Sequence, residues 1–368
     1  MLKYAMIGGG PGAFVGGVHR RALALNGTAK LVAGCFSRDL EKTRAIGLEL
    51  GIDEDRLYAT PEEMTRLEAG DIDFAVVVTS NEAHYPNVKT CLEYGIHVMC
   101  DKPFTITSAQ AEELVALASE KELMLAVTYT YAGYPMVRQA REMVERGDLG
   151  DIRFVNCEYP QGWLAEMLET TGHTQASWRA DPERGGTTLS LGDVGSHVEH
   201  LVPFVTGLNL TRLAARLDTL VEGRTLDDNG VILTEYDTGA RGMYWYSQAA
   251  TGCVNGLKLR IFGDKGGLEW FQEDPDHLRY TPIGHPPQII VRGMPEMLPG
   301  AMPYSHTPPG HPEGWLQAFA NIYSAFCATI EHGVTPDFPT GKDGLRGVRF
   351  IEACVKSSQN GTTWIDMG

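Results

Sequence analysis

A chain of 368 residues, 43% of them hydrophobic, is long enough for two domains with cores of their own and too apolar for disorder. Its formal net charge of -16 argues against nucleic acid as a partner, because that binding needs clustered Lys and Arg, and favours a small neutral molecule. No apolar run is long enough to cross a bilayer, Met1 leads directly into a strand pattern without a signal peptide, and the seven cysteines stand singly with no C-x-x-C pair, so a cytoplasmic chain with reduced core thiols and no metal is expected.

From Lys3 to Val127, short β-branched runs alternate with helical patterns, as in a parallel sheet built from βαβ units. The strands fall at residues 4–7, 31–36, 56–58, 74–79, 97–100 and 123–128. Thr60 and Pro61 open one helix, with Glu63 placed for a capping box, and Gly95 ends another by taking the left-handed conformation. Beyond Tyr129 the pattern changes. An amphipathic helix at 136–146 is followed by strand-like runs at 152–158, 213–220, 231–236, 242–247, 257–262 and 268–271, which predicts a mixed, largely antiparallel open sheet. Residues 284–312 read as a long loop rich in Pro and Gly, and helices resume at 313–331 and 345–357. The fold class is therefore α/β: an N-terminal Rossmann doubly wound parallel sheet over 1–128, then a C-terminal α+β domain over 129–368 for substrate binding and oligomerisation.

Gly8-Gly9-Gly10-Pro11-Gly12-Ala13 fits G-x-G-x-x-G/A, with Gly8, Gly10 and Ala13 in the key places, directly after the first strand and before a helix. Such a turn lets backbone approach a pyrophosphate at the positive end of a helix dipole, so NAD(P) is the expected cofactor. At the end of the second strand stand Ser37 and Arg38 rather than a carboxylate. That pair suits the 2'-phosphate of NADP, while Asp39 next to it offers a ribose partner for NAD.

Asp101-Lys102-Pro103 follows the fifth strand, at the carboxyl edge where doubly wound sheets bind ligands, which brings Lys102 towards nicotinamide and substrate. A second constellation is Gly192-Asp193-Val194-Gly195-Ser196-His197, leading into a helix. Asp193 and His197 are four apart, on one helix face, so the carboxylate can orient the imidazole or share a substrate hydroxyl with it. Two alternatives stand beside this: Asp193 as a helix N-cap, and Asp193, His197 and His200 as a metal face.

These residues together resemble the glucose-fructose oxidoreductase, inositol dehydrogenase and rhizopine-catabolism (Gfo/Idh/MocA) family. The resemblance runs along essentially the whole chain and rests on the glycine turn, on Thr79-Ser80-Asn81-Glu82-Ala83-His84, on Asp101-Lys102-Pro103, and on Gly185-Gly186 with Gly192-Asp193 through His197. It implies a six-stranded Rossmann domain and a substrate domain whose open sheet makes oligomer contacts, giving a homodimer or homotetramer. It implies that Lys102 binds and polarises the reacting hydroxyl, Asp193 helps hold the substrate and His197 is the general acid/base, with Thr79, Asn81, His84 and Asp101 near the cofactor. The family's usual Glu before the lysine is Asp101 here, and its frequent Tyr-Arg pair is replaced by Tyr129-Thr130-Tyr131.

Tyr131, Tyr159, Gln161, Trp163, Trp178, His311 and Trp315 are the aromatic and polar residues considered for a sugar pocket, Tyr131 and Trp163 foremost. The activity expected is oxidation of a secondary ring hydroxyl of a sugar, glycoside or cyclic polyol, or the reverse reduction. The alternatives are a redox glycosidase that retains its NAD, and a non-catalytic sugar or dinucleotide sensor.

Overall fold

The computed structural model describes residues 1–368, which form two compact units. One comprises Met1–Tyr129, Asp181–Gly186 and Phe319–Val348; the other comprises Thr130–Ala180, Thr187–Ala318 and Arg349–Gly368. The stretch 129–368, expected as one domain, is therefore divided between the two units. The reason lies in the aromatic side chains of the helix Trp315–His332: Phe326 meets Phe74 edge-on at 5.3 Å, and Phe74 in turn stacks on Tyr4 at 5.4 Å. A sheet buried on both faces needs that cover.

The first unit is built on a parallel sheet of β1 (Leu2–Gly8), β2 (Ala29–Cys35), β3 (Phe74–Val78), β4 (His97–Cys100) and β5 (Leu125–Val127), in the order β2-β1-β3-β4-β5. Five strands stand where six were expected. Around 56–58 the chain instead makes a 3-10 turn, Glu54–Arg56, and touches β2 through a single bridge from Leu57 to Gly34. Polar chemistry decides this: Arg56 and Tyr58 both reach the buried Glu68, the guanidinium Nε at 3.0 Å and the phenol at 2.6 Å. Connection order reverses at β1, which pairs with β2 on one side and β3 on the other, so the ligand crevice of this sheet opens where Gly8 lies beside Val78. The helix Pro61–Glu68 starts as its sequence predicts, with the Thr60 hydroxyl accepting from the Glu63 amide at 3.2 Å. After the helix Asn81–Glu93, Gly95 takes φ 79° and its neighbour Ile96 donates back to the Cys91 carbonyl, a Schellman ending.

The second unit holds a nine-stranded sheet of β6 (Ile152–Pro160), β7 (Leu210–Asp218), β8 (Asn229–Tyr236), β9 (Arg241–Ser247), β10 (Lys258–Gly263), β11 (Gly266–Phe271), β12 (His277–Pro282), β13 (Gln288–Val291) and β14 (Ile365–Asp366), ordered β13-β12-β11-β10-β6-β9-β8-β7-β14. Only β6 and β9 run parallel. Alternation sorts the two faces. Val155, Cys157, Tyr244, Tyr246, Leu259 and Ile261 turn into a core shared with the helices Pro135–Glu145 and Ser196–Thr206, while Phe154, Val231, Leu233 and Phe262 are exposed on the other face.

The loop expected at 284–312 contains β13, and β12 precedes it unannounced by any apolar alternation. Pairing of His277 with Val291 sets their register, and beyond it a buried guanidinium staples the chain: Arg292 donates to Asp276, Glu313 and the carbonyls of Thr307 and His311. The same segment buries Met297 and Ala301 in the core of the unit, so apolar packing and a fully partnered guanidinium together order it. All seven cysteines are free thiols; six are buried and Cys253 is half-buried.

Candidate active site

Backbone geometry builds the glycine turn. Gly8, Gly9 and Gly12 all have positive φ, and a Cβ on Gly8 would lie 2.7 Å from the Val78 carbonyl oxygen. A Cβ on Gly10 would strike the Phe36 carbonyl, whereas one on Gly12 would meet nothing within 4 Å, so Gly12 borders open space. The close helix-to-turn packing falls to Gly16 against Gly9, a contact the motif did not identify. The helix Phe14–Asn26 begins at Ala13 with no capping side chain and no acidic residue in its first turn. Beside it the buried Thr79 hydroxyl has no hydrogen-bond partner. A small-residue cradle, an uncapped helix start and an orphaned hydroxyl fit a dinucleotide pyrophosphate.

At the end of β2, Arg38 is almost fully exposed and lies 3.6 Å from Glu82 Oε1. Ser37 Oγ accepts from the Asp39 amide, and the Asp39 carboxylate caps the next helix by accepting from the Glu41 amide at 3.0 Å. Asn81 and His84 are buried. Asn81 donates to the Gly185 carbonyl at 2.8 Å, and His84 sets its two ring nitrogens 2.9 Å from the Pro103 carbonyl and 3.1 Å from that of Thr79. His84 thereby ties together the loops that follow β3 and β4. Lys102, half-buried, stands on the second of these. Burial opposes ionisation of its neighbour Asp101, but the facing His19 imidazole, the Lys102 charge and the Thr128 hydroxyl outweigh it and hold the carboxyl well below the usual carboxylate range.

In the second unit, Asp193 and His197 do not share one regular α-helix. Residues Leu191–Gly195 form a π turn that passes into the α-helix Ser196–Thr206. Asp193 is therefore inside a helical turn rather than at an N-cap, which corrects that alternative. Its carboxylate accepts from Gln248 Nε2 at 2.8 Å and lies 3.6 Å from Arg179 Nε. The π turn itself is anchored by Asp227, fully buried, which accepts from the amides of Leu189 and Leu191 and from the Tyr246 hydroxyl, each at 2.8 Å. Widened turns of this kind recur at functional sites because they re-aim side chains.

The His197 ring lies edge-on to Tyr131 at 4.9 Å and tilted to Tyr159 at 6.1 Å. The two tyrosine hydroxyls bond to each other, and Tyr159 donates to Asn255 Oδ1 at 2.6 Å. Gln161 donates to the same oxygen at 2.7 Å and accepts from Gln248 at 3.1 Å. Burial pushes the Tyr131 phenol up to about 12, so it acts as a neutral hydroxyl. A continuous polar chain thus runs from Tyr131 through Tyr159, Asn255, Gln161 and Gln248 to Asp193. Trp163 packs against Leu164, Ala176 and Leu189, with its ring 6.0 Å from that of His173. Trp178 lies under the Arg179 guanidinium, His311 is an exposed residue of the Arg292 staple, and Trp315 opens its helix. His200 is buried and stacks on Phe204, and no group of three His, Cys, Asp or Glu side chains is arranged to hold a metal ion.

Gln248, Asn255, Arg179 and Asp227 were not identified from sequence. Gln248, Asn255 and Asp227 are well removed from Asp193 in the chain, and none of the four carries a motif. Arg179, directly after Trp178, had the nearest signal; it places an arginine beside Asp193 although the Tyr-Arg pair is missing.

Residues 2–129 match the model of the oxidoreductase family, NAD-binding Rossmann fold, and residues 137–269 match that of the GFO/IDH/MocA C-terminal domain. The chain is 35% identical over 379 residues to the uncharacterized oxidoreductase YfiI of Bacillus subtilis (strain 168), covering 99% of this chain and 96% of that one. Among solved structures, an oxidoreductase from Sinorhizobium meliloti is 44% identical with a TM-score of 0.89, covering 99% of each chain. An inositol dehydrogenase homolog from Azotobacter vinelandii complexed with NAD+ is 34% identical with a TM-score of 0.95, covering 99% of this chain and 97% of that one, and the same homolog is also known complexed with NADH and myo-inositol. With both family models matched in order, and an NAD-binding Rossmann domain at its start, the chain belongs to the Gfo/Idh/MocA family of oxidoreductases.

Proposed function

We propose that this protein is an NAD(P)-dependent dehydrogenase that oxidises a secondary ring hydroxyl of a sugar or cyclic polyol to a ketone, or runs the reverse reduction. The observation that carries the reading is the polar chain of hydroxyl, amide and carboxylate groups ending at Asp193, with His197 held edge-on against its Tyr131 end. Uncharged, multiply hydroxylated molecules are matched by such donors and acceptors, and the myo-inositol complex of the Azotobacter vinelandii homolog supports the same class. NAD(P)+, when bound, supplies the hydride acceptor for the carbinol carbon. Gly8, Gly10, Pro11, Gly12 and Ala13 would hold its pyrophosphate, and Ser37 and Arg38 its adenosine ribose, with NADP favoured over NAD.

In this scheme the Lys102 ammonium binds the reacting hydroxyl and stabilises the developing alkoxide, and the His197 imidazole takes the hydroxyl proton. Asp193 hydrogen-bonds substrate, its own pose fixed by Gln248 and Arg179, while Tyr131 and Trp163 border the ring. The test is a panel of pyranoses and inositols with NAD and NADP, followed as absorbance of the reduced nicotinamide. On the best substrate, His197→Ala should lower turnover by about 10²- to 10⁴-fold with cofactor affinity kept, and Lys102→Ala at least as much. Near-normal turnover in both variants, with folding verified, overturns the scheme. Assembly as a homodimer or homotetramer through the exposed sheet face belongs to the same proposal, and light scattering on the same preparations reads it.

A further inference from the structure

We infer that His19 is a positioning residue for the reaction, holding the Asp101 carboxylate from the buried side of β4 and, through it, the adjacent Lys102. The inference rests on the proposed role of Lys102. His19 lies on the inward face of the helix Phe14–Asn26 and is fully buried. Its Nδ1 is 2.5 Å from the Tyr323 hydroxyl, and Phe319 meets the ring edge-on at 5.1 Å. Nε2 makes no hydrogen bond of its own and faces Asp101 Oδ1 at 3.9 Å. The same oxygen accepts from the Thr128 hydroxyl at 2.5 Å, while the Asp101 amide donates to the Val77 carbonyl at 2.9 Å. Asp101 is thus held by its backbone and by the Thr128 hydroxyl, with the His19 ring facing the same oxygen, one residue before Lys102.

The chemistry of the partners sets the proton. A carboxylate only accepts, so the nitrogen facing it carries hydrogen. In the neutral ring, that leaves Nδ1 as an acceptor for the Tyr323 hydroxyl, and burial raises the Tyr323 phenol well above its ordinary value so that it keeps the proton it donates. In the charged ring, Nε2 is protonated as well. Either state aims an N–H at Asp101. The ring's two nitrogens thus face two polar groups, the Tyr323 hydroxyl that fixes its orientation and the Asp101 carboxylate, where a leucine of similar bulk would offer neither a partner. Without the imidazole, the buried Asp101 charge would have Lys102 as its principal counter-charge and would draw the ammonium away from the substrate hydroxyl.

Steady-state kinetics of His19→Leu, Asp101→Asn and the double variant on the best substrate test this, alongside Lys102→Ala and with NAD(P) affinity read from nucleotide fluorescence. His19→Leu is expected to lower kcat about ten- to hundred-fold while cofactor affinity holds, as small misplacements of reacting groups do. The double variant should be no worse than Asp101→Asn alone, because both changes act on one carboxylate. His19→Gln, which keeps an N–H donor towards Asp101, should recover much of the loss. Normal kcat in His19→Leu, or losses that simply add in the double variant, overturn the inference. If His19→Leu does not fold, Tyr323→Phe decides: lowered kcat with intact cofactor binding supports the role, and wild-type kcat removes it. A crippled Lys102→Ala beside a normal His19→Leu defeats this inference alone, whereas an active Lys102→Ala defeats the proposed mechanism and this inference together.

Discussion

Arg38 and Asp39 are neighbours with different work. The Asp39 carboxylate is engaged as a helix cap, while Arg38 extends into solvent with Glu82 at ion-pair distance. An exposed guanidinium paired at 3.6 Å gains little from its partner and is available to a 2'-phosphate, which offers a stronger charge-assisted bond. Arg38→Ala should therefore weaken NADP more than NAD, by about ten-fold or more, since such a contact contributes roughly 1.5 to 3 kcal/mol. Fluorescence titration with both nucleotides reads the difference, and equal weakening of the two would show that Arg38 does not read the phosphate. Gln248 likewise serves two partners: its single amide nitrogen donates to both Gln161 and Asp193 and so couples the tyrosine end of the polar chain to the carboxylate.

At the scale of elements, the π turn Leu191–Gly195 is the feature on which the placement of Asp193 depends. A widened turn leaves amide groups at its start in need of acceptors, and Asp227, delivered by the segment before β8, supplies them. Burial raises the Asp227 carboxyl, and the Leu189 and Leu191 amides and the Tyr246 hydroxyl oppose that shift. Asp227→Ala would leave three buried donors without an acceptor, at about 1 to 3 kcal/mol each. A fall in the denaturant midpoint worth about 3 kcal/mol or more is expected, together with reduced turnover, because Asp193 rides on the anchored turn. An unchanged midpoint would show that water or another acceptor replaces the carboxylate. The glycine turn combines close packing with hydrogen bonds: Gly16 against Gly9 sets how closely the helix Phe14–Asn26 approaches β1, while the Ala13 amide donates to the Gly10 carbonyl at 3.0 Å and Arg20 to that of Gly9 at 3.2 Å.

Over the whole molecule, acid acts in part through a buried carboxylate of the first unit. The Asp101 carboxyl is held well below the ordinary carboxylate range, so its contribution to stability is complete above the unfolded-state value of about 3.9 and is lost as pH falls through the folded-state value. Thermal melts taken from about pH 5 downwards should show wild-type stability falling more steeply than that of Asp101→Asn, and parallel curves would contradict the shift. Much of this architecture was legible from local chemistry: the glycine turn, the Thr60 cap, the Gly95 ending and the period-two strands of the second sheet each depend on residues a few positions apart. The strand expected at 56–58 became a turn because Glu68 captured Arg56 and Tyr58, and β12 and β13 lacked an apolar pattern because β13 is the edge of its sheet and β12, next to it, buries only Leu278 fully. The sequence by itself determined the fold class, the dinucleotide turn and the residues Lys102, Asp193 and His197 as the ones to examine. Only the tertiary structure decided what surrounds them. His19 meets Tyr323 across 304 positions, Asn81 meets Gly185 across 104, and Gln248 meets Asp193 across 55. Partners so distant leave no periodicity or spacing to read, since what joins them is the packing of whole elements and the need of each buried polar group for a complement.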